Sequence, residues 1–300
     1  MKKLISLILA TLMMTSALAS AETVVTSFYP IHLFARNLLD GIDGIEIASL
    51  AEPTSGCLHD YQLQTGDMKT LARADVFLIN GAGMEGYLEG VFEAFPSLPV
   101  VDASQGVTLL EDCSDHRHDD HDDHDHEHAF NAHIWLDAEN AALMIANLAD
   151  GLIAALPQHE AAIAANRDAY VARLAALDAE LTAALGDLPR KDIITFHEAF
   201  PYFANAYGLH VAAVITRDPD DALSPRQLAE LCKTVQALGA PPLFVEPQYE
   251  DMAATTISRE TGAPLFTLDP IVTGPADAPL AHYEDAMRQN LAVLLEALGG

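Results

Sequence analysis

Positive charge is what this chain has least of: 15 Lys and Arg stand against 44 Asp and Glu, a formal net charge of −29 over 300 residues. Such a balance repels nucleic acid and anionic membrane surfaces and attracts cations. Cysteine is scarce as well, with Cys57, Cys113 and Cys232 only. An odd count leaves at least one thiol unpaired in an oxidising compartment, and three cysteines make no disulfide scaffold. Also missing are a nucleophile motif, a substrate-pocket signature and any close internal repeat.

What is present begins at the N-terminus. Met1-Lys2-Lys3 leads into the apolar run Leu4 to Leu18, and the small residues Ala19-Ser20-Ala21 follow. This is the pattern of a secretory signal peptide, residues 1–21, with cleavage expected after Ala21. The alternative is an N-terminal anchor, but the run is short for a bilayer span and no stop-transfer pattern follows. The residue directly after the cleavage site is Glu22 and not cysteine, so no lipid anchor is expected. The product should be exported and unanchored, as in a Gram-negative periplasm.

Beyond the signal, strand-like and helix-like segments alternate, which indicates parallel sheets covered on both faces. In the first half, strands are expected at 23–28, 45–50, 75–80 and near Val100, with helices at 30–39, 66–74 and 84–95. An Ala-rich helix from Asp137 to Leu156 comes next. Pro157, a favoured first-turn residue, opens another. Ile163, Tyr170, Leu174, Leu177, Leu181 and Leu185 recur at helical spacing up to Gly186, so this helix should run roughly 45 Å at 1.5 Å per residue. Strands at 192–196, 210–215, 243–245 and 264–268 then alternate with helices at 199–207, 225–238, 251–261 and 283–298. The expected architecture is α/β: two doubly wound lobes, 22–156 and 188–300, joined by one long rigid helix at 157–187.

One stretch breaks the alternation. Asp115 to His133 reads DHRHDDHDDHDHEHAFNAH and holds seven of the 13 histidines, while nine acidic residues lie between Glu111 and Glu127. Neutral imidazole suits zinc and its first-row neighbours, and carboxylates add attraction for any cation. Residues 112–130 are too polar to pack and are expected to form a long disordered surface loop. Its histidines, His116, His118, His121, His124, His126 and His128, are candidate weak metal ligands, a mobile collector.

A tighter site is sought where α/β sheets bind ligands, just beyond the carboxyl ends of strands. Four metal-binding side chains fall there: His59 after the second strand, His133 at the end of the insertion, His197 after Phe196 and Asp269 after Leu268. A cleft between the lobes would gather three imidazoles and a carboxylate, a set that suits tetrahedral zinc. Cys57 is an alternative ligand, a bystander or a disulfide partner. Asp60 and Glu198 adjoin proposed ligands and are candidates to orient an imidazole. His32, His159, His210 and His282 are read as ordinary surface or hydrogen-bonded residues.

The blocks Thr26-Ser27-Phe28-Tyr29-Pro30, His59-Asp60-Tyr61, His133-Ile134-Trp135-Leu136, Phe196-His197-Glu198-Ala199-Phe200, Glu246-Pro247-Gln248 and Thr267-Leu268-Asp269-Pro270 occur in order along nearly the whole chain. As a set they resemble the metal-binding solute-binding proteins of ABC transporters, the ZnuA-type periplasmic zinc proteins in particular. That resemblance implies two α/β lobes linked by one rigid helix, a metal in the cleft, and delivery to a membrane permease driven by a cytoplasmic ATPase. It carries the family's histidine ligands onto His59, His133 and His197, and its cleft aspartate onto Asp269. Manganese-specific relatives typically have glutamate at the third position. His197 occupies it here, and borderline-soft nitrogen favours zinc over manganese. Some zinc members have glutamate before the first histidine where this chain has Leu58, so the fourth ligand stays open between Asp269 and water. An acidic His-rich insertion ahead of the second ligand is a feature of many zinc members.

The function expected is high-affinity zinc capture, with zinc as transported ligand, a monomeric protein and no catalysis. Two competing readings are a secreted zinc-dependent hydrolase or lyase built on a three-histidine site, and a periplasmic zinc buffer or chaperone that meets no permease.

Overall fold

The structure, a computed structural model, describes residues 21–55, 58, 61–111, 130–215, 224–248 and 252–299. The expected signal peptide and the loop histidines therefore lie outside the described residues, as do His59, Asp60, Cys57 and Cys113.

Two four-stranded parallel sheets form the frame. The first joins β1 (Glu22–Thr26), β2 (Ile45–Ser49), β3 (Val76–Ile79) and β4 (Val100–Asp102) in the order β2-β1-β3-β4. The second joins β5 (Asp192–Thr195), β6 (His210–Val214), β7 (Leu243–Val245) and β8 (Leu265–Thr267) in the order β6-β5-β7-β8. The orders are equivalent. In each sheet the chain turns to one side after its first strand and to the other for its third, which leaves a crevice between those two central strands. Both faces of the central strands are covered, so β3 reads Val-Phe-Leu-Ile without polar alternation and is buried throughout.

Helices α1 (Tyr29–Leu38), α2 (Thr65–Leu71) and α3 (Leu88–Ala94) accompany the first sheet; α6 (Pro201–Tyr207), α7 (Pro225–Ala237), α8 (Met252–Thr261) and α9 (His282–Leu298) accompany the second. Between them lie α4 (Ala138–Ala155) and α5 (Glu160–Leu185). Asp137 caps α4, its Oδ1 accepting from the N–H of Glu139 at 2.8 Å and of Asn140 at 3.4 Å. A 3-10 turn at Pro157–His159 separates α4 from α5, and the two helices bend by 117° across it. The 26 residues of α5 rise about 39 Å. Its six periodic apolar residues are all fully buried, in one core shared by Phe34 of α1, Ile145 of α4, Phe203 of α6 and Leu294 of α9. Arg173 of α5 ties α9 to α1, donating to Glu284 Oε1 at 2.8 Å and to Asn37 Oδ1. No single described helix is long and apolar enough to cross a membrane.

Most expected elements sit within two or three residues of their places, and one helix starts four residues late. The helix expected from Met84 begins at Leu88, because the Glu85 carboxylate is engaged elsewhere: Oε1 accepts from the N–H of Asn80 at 2.7 Å and Oε2 from that of Gly81 at 3.1 Å. This holds the 80–85 segment as a tight loop with left-handed residues at Gly81, Ala82 and Gly83. The helix expected from Ala199 starts at Pro201, a residue suited to a first helical turn. His159, expected on an exposed turn, pairs instead with Glu22 at 2.9 Å.

A strap from Pro270 to Ala281, between β8 and α9, crosses to the first half of the chain. Trp135 Nε1 donates to the Pro270 carbonyl at 2.8 Å, Tyr29 Oη to that of Pro275 at 3.2 Å, and Arg36 Nη1 to that of Ala278 at 2.6 Å. Asn37 Nδ2 reaches Leu280 at 2.9 Å, and Gly274 N–H donates to the Pro53 carbonyl at 3.1 Å. A Cβ at position 274 would collide with the Tyr29 ring, so the close approach requires glycine. These bonds and the shared core make independent swinging of the two halves costly.

Candidate metal centre

His133 and His197 meet between the two halves. Their ring centroids lie 4.8 Å apart with planes at 80°. His133 leads into a 3-10 turn, Ile134–Leu136, and is buried to 2% exposure, with its ring 5.2 Å from that of Trp135. His197 stands just past β5, at the crevice of the second sheet.

Each imidazole is held at Nδ1 by an oxygen. Asn131 Oδ1 accepts from the His133 backbone N–H at 3.0 Å and lies 3.2 Å from His133 Nδ1. The Asn131 amide is oriented by its other end, where Nδ2 donates to the Glu198 carbonyl at 2.7 Å. Tyr202 Oη donates to the Asn131 carbonyl and accepts from the Leu110 N–H, both at 2.9 Å. For His197 the oxygen is Glu246 Oε1, 2.7 Å from Nδ1. With an oxygen beside each Nδ1, a proton on that nitrogen would leave Nε2 as the metal-binding nitrogen of the ring.

Asp269 follows β8 and is fixed through its backbone, its N–H donating to Asn290 Oδ1 at 2.8 Å and its carbonyl accepting from Asn290 Nδ2 at 2.7 Å. Its Oδ1 accepts from the N–H of Ile271 at 2.7 Å, which sits at φ 60. A buried β-branched residue in the left-handed region is strained, and the surrounding packing must hold it there. Burial pushes the Asp269 carboxyl above its ordinary range; the Ile271 N–H and His282 oppose this, and the Glu246 charge adds to it.

Of the expected ligands, then, the structure brings together His133 and His197. Asp269 lies in the same electrostatic neighbourhood as Glu246, but among the described residues no three His, Cys, Asp or Glu side chains gather closely enough to hold an ion. His59 lies outside them. Cys232, on α7, is a free thiol that burial pushes up.

Two supporting residues, Glu246 and Asn131, were given no role by the sequence. Glu246 belongs to the Glu246-Pro247-Gln248 block, but nothing local ties it to His197, and the role of orienting that ring had been expected of Glu198. The partner found at Nδ1 is Glu246, while Glu198 supplies the carbonyl that orients Asn131. Asn131 is two residues from His133, a spacing that permits a side-chain-to-backbone contact and was the available signal.

A high-affinity zinc uptake system protein, ZnuA, of Haemophilus ducreyi is 32% identical over 85% of this chain and 86% of its own. The zinc-binding protein AdcA of Streptococcus pyogenes is 29% identical over 90% of this chain; the match spans 55% of AdcA, so this chain covers about half the length of that relative. The crystal structure of a zinc-bound ZnuA deletion mutant superposes with a TM-score of 0.76, covering 93% of this chain and 99% of that one at 23% identity, a likeness of fold. The family model described as ZnuA, zinc-uptake complex component A, periplasmic, matches residues 24–297. Spanning almost the whole chain, that match shows that the protein belongs to the ZnuA family of zinc-uptake solute-binding proteins.

Proposed function

We propose that this protein is exported to the periplasm by a cleavable signal peptide, captures one zinc ion with high affinity between its two lobes, and delivers it to an ABC-type permease with a cytoplasmic ATPase. The observation that carries the reading is the His133–His197 pair, two imidazoles with centroids 4.8 Å apart and each Nδ1 beside an oxygen. His59 and Asp269 complete the proposed ligand set. Two imidazoles with the Glu246 carboxyl against one of them suit a divalent cation, and nitrogen donors favour zinc over manganese. The lobes are taken as 22–156 and 188–300, with 157–187 linking them, and the protein works as a monomer without catalysis.

His116 to His128 act in this reading as a low-affinity collector. The proposal is tested by zinc calorimetry on the intact protein and on a variant lacking residues 115–127. One tight zinc should persist in both, with only weaker binding lost from the deletion. Loss of the tight site on deletion would refute the two-site reading. In cells, loss of high-affinity zinc uptake on removing the gene separates delivery from buffering.

A further inference from the structure

The candidate that goes furthest is Glu246. The parallel register pairs Thr195 of β5 with Phe244 of β7. Continued two residues beyond the paired ends, it sets His197 beside Glu246 at the crevice of the second sheet. Glu246 is buried to 3% exposure. Its two oxygens have separate partners: Oε1 meets His197 Nδ1 at 2.7 Å, and Oε2 accepts from Gln248 Nε2. Among the described residues its one ion-pair partner is His197, with no Lys or Arg beside it.

A buried polar group needs hydrogen-bond partners, and those of the Glu246 carboxyl are the His197 imidazole and the Gln248 amide. We propose that Glu246 is a positioning residue for metal capture: it fixes His197 as the Nδ1–H tautomer and, through the ring, strengthens Nε2 as a donor to a divalent cation. The inference rests on His197 being a zinc ligand. It adds that the second sheet supplies both the ligand and the group that tunes it, from adjacent strands 49 positions apart in sequence. A metal-bound imidazole whose other nitrogen donates to a carboxylate is a stronger and better oriented ligand.

The test has two arms. In the metal-free protein, nitrogen-15 NMR of the histidine side chains should show His197 with its proton on Nδ1. In Glu246→Ala the same ring should become a mixture of tautomers. A wild-type ring protonated on Nε2, or a Glu246→Ala ring still held wholly as Nδ1–H, would overturn the proposal. The second arm is zinc titration of Glu246→Gln, which keeps the volume and removes the charge. Zinc affinity should fall about 10- to 100-fold; affinity within about twofold of wild type would contradict the tuning role. His197→Ala keeps the two readings apart. If it binds zinc as tightly as wild type, the ligand assignment fails, while the tautomer result, taken without metal, still decides what Glu246 does to the ring. Should the Glu246 variants fail to fold, the wild-type spectrum alone is decisive.

Discussion

The two sheets share one strand order, yet their crevices are used differently. In the second, the residues past the two central strands are His197 and Glu246, a candidate ligand and its anchor in direct contact. In the first, the corresponding third strand is followed by Asn80, which binds backbone: its Nδ2 donates to the Ala132 carbonyl at 2.9 Å, one residue before His133, while Glu85 caps the loop. Thus the second sheet presents chemistry directly, and the first supports a histidine delivered by the far end of the insertion. His197 is anchored by a carboxyl group, His133 by an amide. The difference teaches that equivalent topology supplies two positions, and that local sequence decides whether each holds a ligand or a scaffold.

The comparison is broken most severely by removing either histidine. His133→Ala and His197→Ala should each weaken zinc binding well beyond the roughly 10- to 100-fold that supporting groups contribute, read by competitive zinc titration. Equal losses would mean that the two sides share the ion. A negligible loss in one would mean that only one sheet takes part.

Next in size is the acid buried at the first crevice. Burial raises Glu85 to about 7, against the opposing N–H groups of Asn80 and Gly81 and the Ser27 hydroxyl. A carboxyl raised on folding contributes stability that is fully present below its unfolded value of 4.5 and is lost as pH rises through about 7. Chemical denaturation of Glu85→Gln and wild type at a series of pH values should therefore show the variant gaining on wild type by roughly 3 kcal/mol between pH 4.5 and 7. A constant difference across that window would show that Glu85 is not held protonated.

Asn131 sharpens the neutral side. Asn131→Ala removes an acceptor for His133 and the donor to the Glu198 carbonyl, and leaves buried polar groups unsatisfied at a cost of about 1–3 kcal/mol. Zinc affinity should fall about tenfold with it. Asn131→Asp imitates Glu246 in charge but loses the donor, so it should also be less stable than wild type in urea. The smallest effect is expected of Tyr202→Phe. Its hydroxyl acts on the backbone of Asn131 and Leu110, and removing it should cost about 1 kcal/mol in urea denaturation with little change in zinc affinity.

The alternation of strands and helices was legible because buried parallel strands and amphipathic helices leave strong local patterns, as in Val76–Ile79 and along α5. The Met84–Tyr87 turn was not, since its helical residues are diverted by Glu85 bonding to backbone that precedes it. His197 and Asp269 could be chosen as strand-end residues; His133 follows no strand and stands out instead as the last histidine of the insertion, at the start of a 3-10 turn. The Glu246 contact could not, because which strands become neighbours, and in what register, is a property of the whole sheet. Asp269 differs again: its site beyond β8 was readable, but its hold by Asn290 and by the strained Ile271 depends on the α9 and strap packing.

The central claim is that one zinc ion bridges the two sides. Anomalous diffraction at the zinc edge on crystals of the zinc-loaded protein tests it most directly. The account predicts a single strong peak about 2.0–2.1 Å from Nε2 of both His133 and His197. Zinc found only on the His-rich insertion, or bound to one of the two rings without the other, would contradict it.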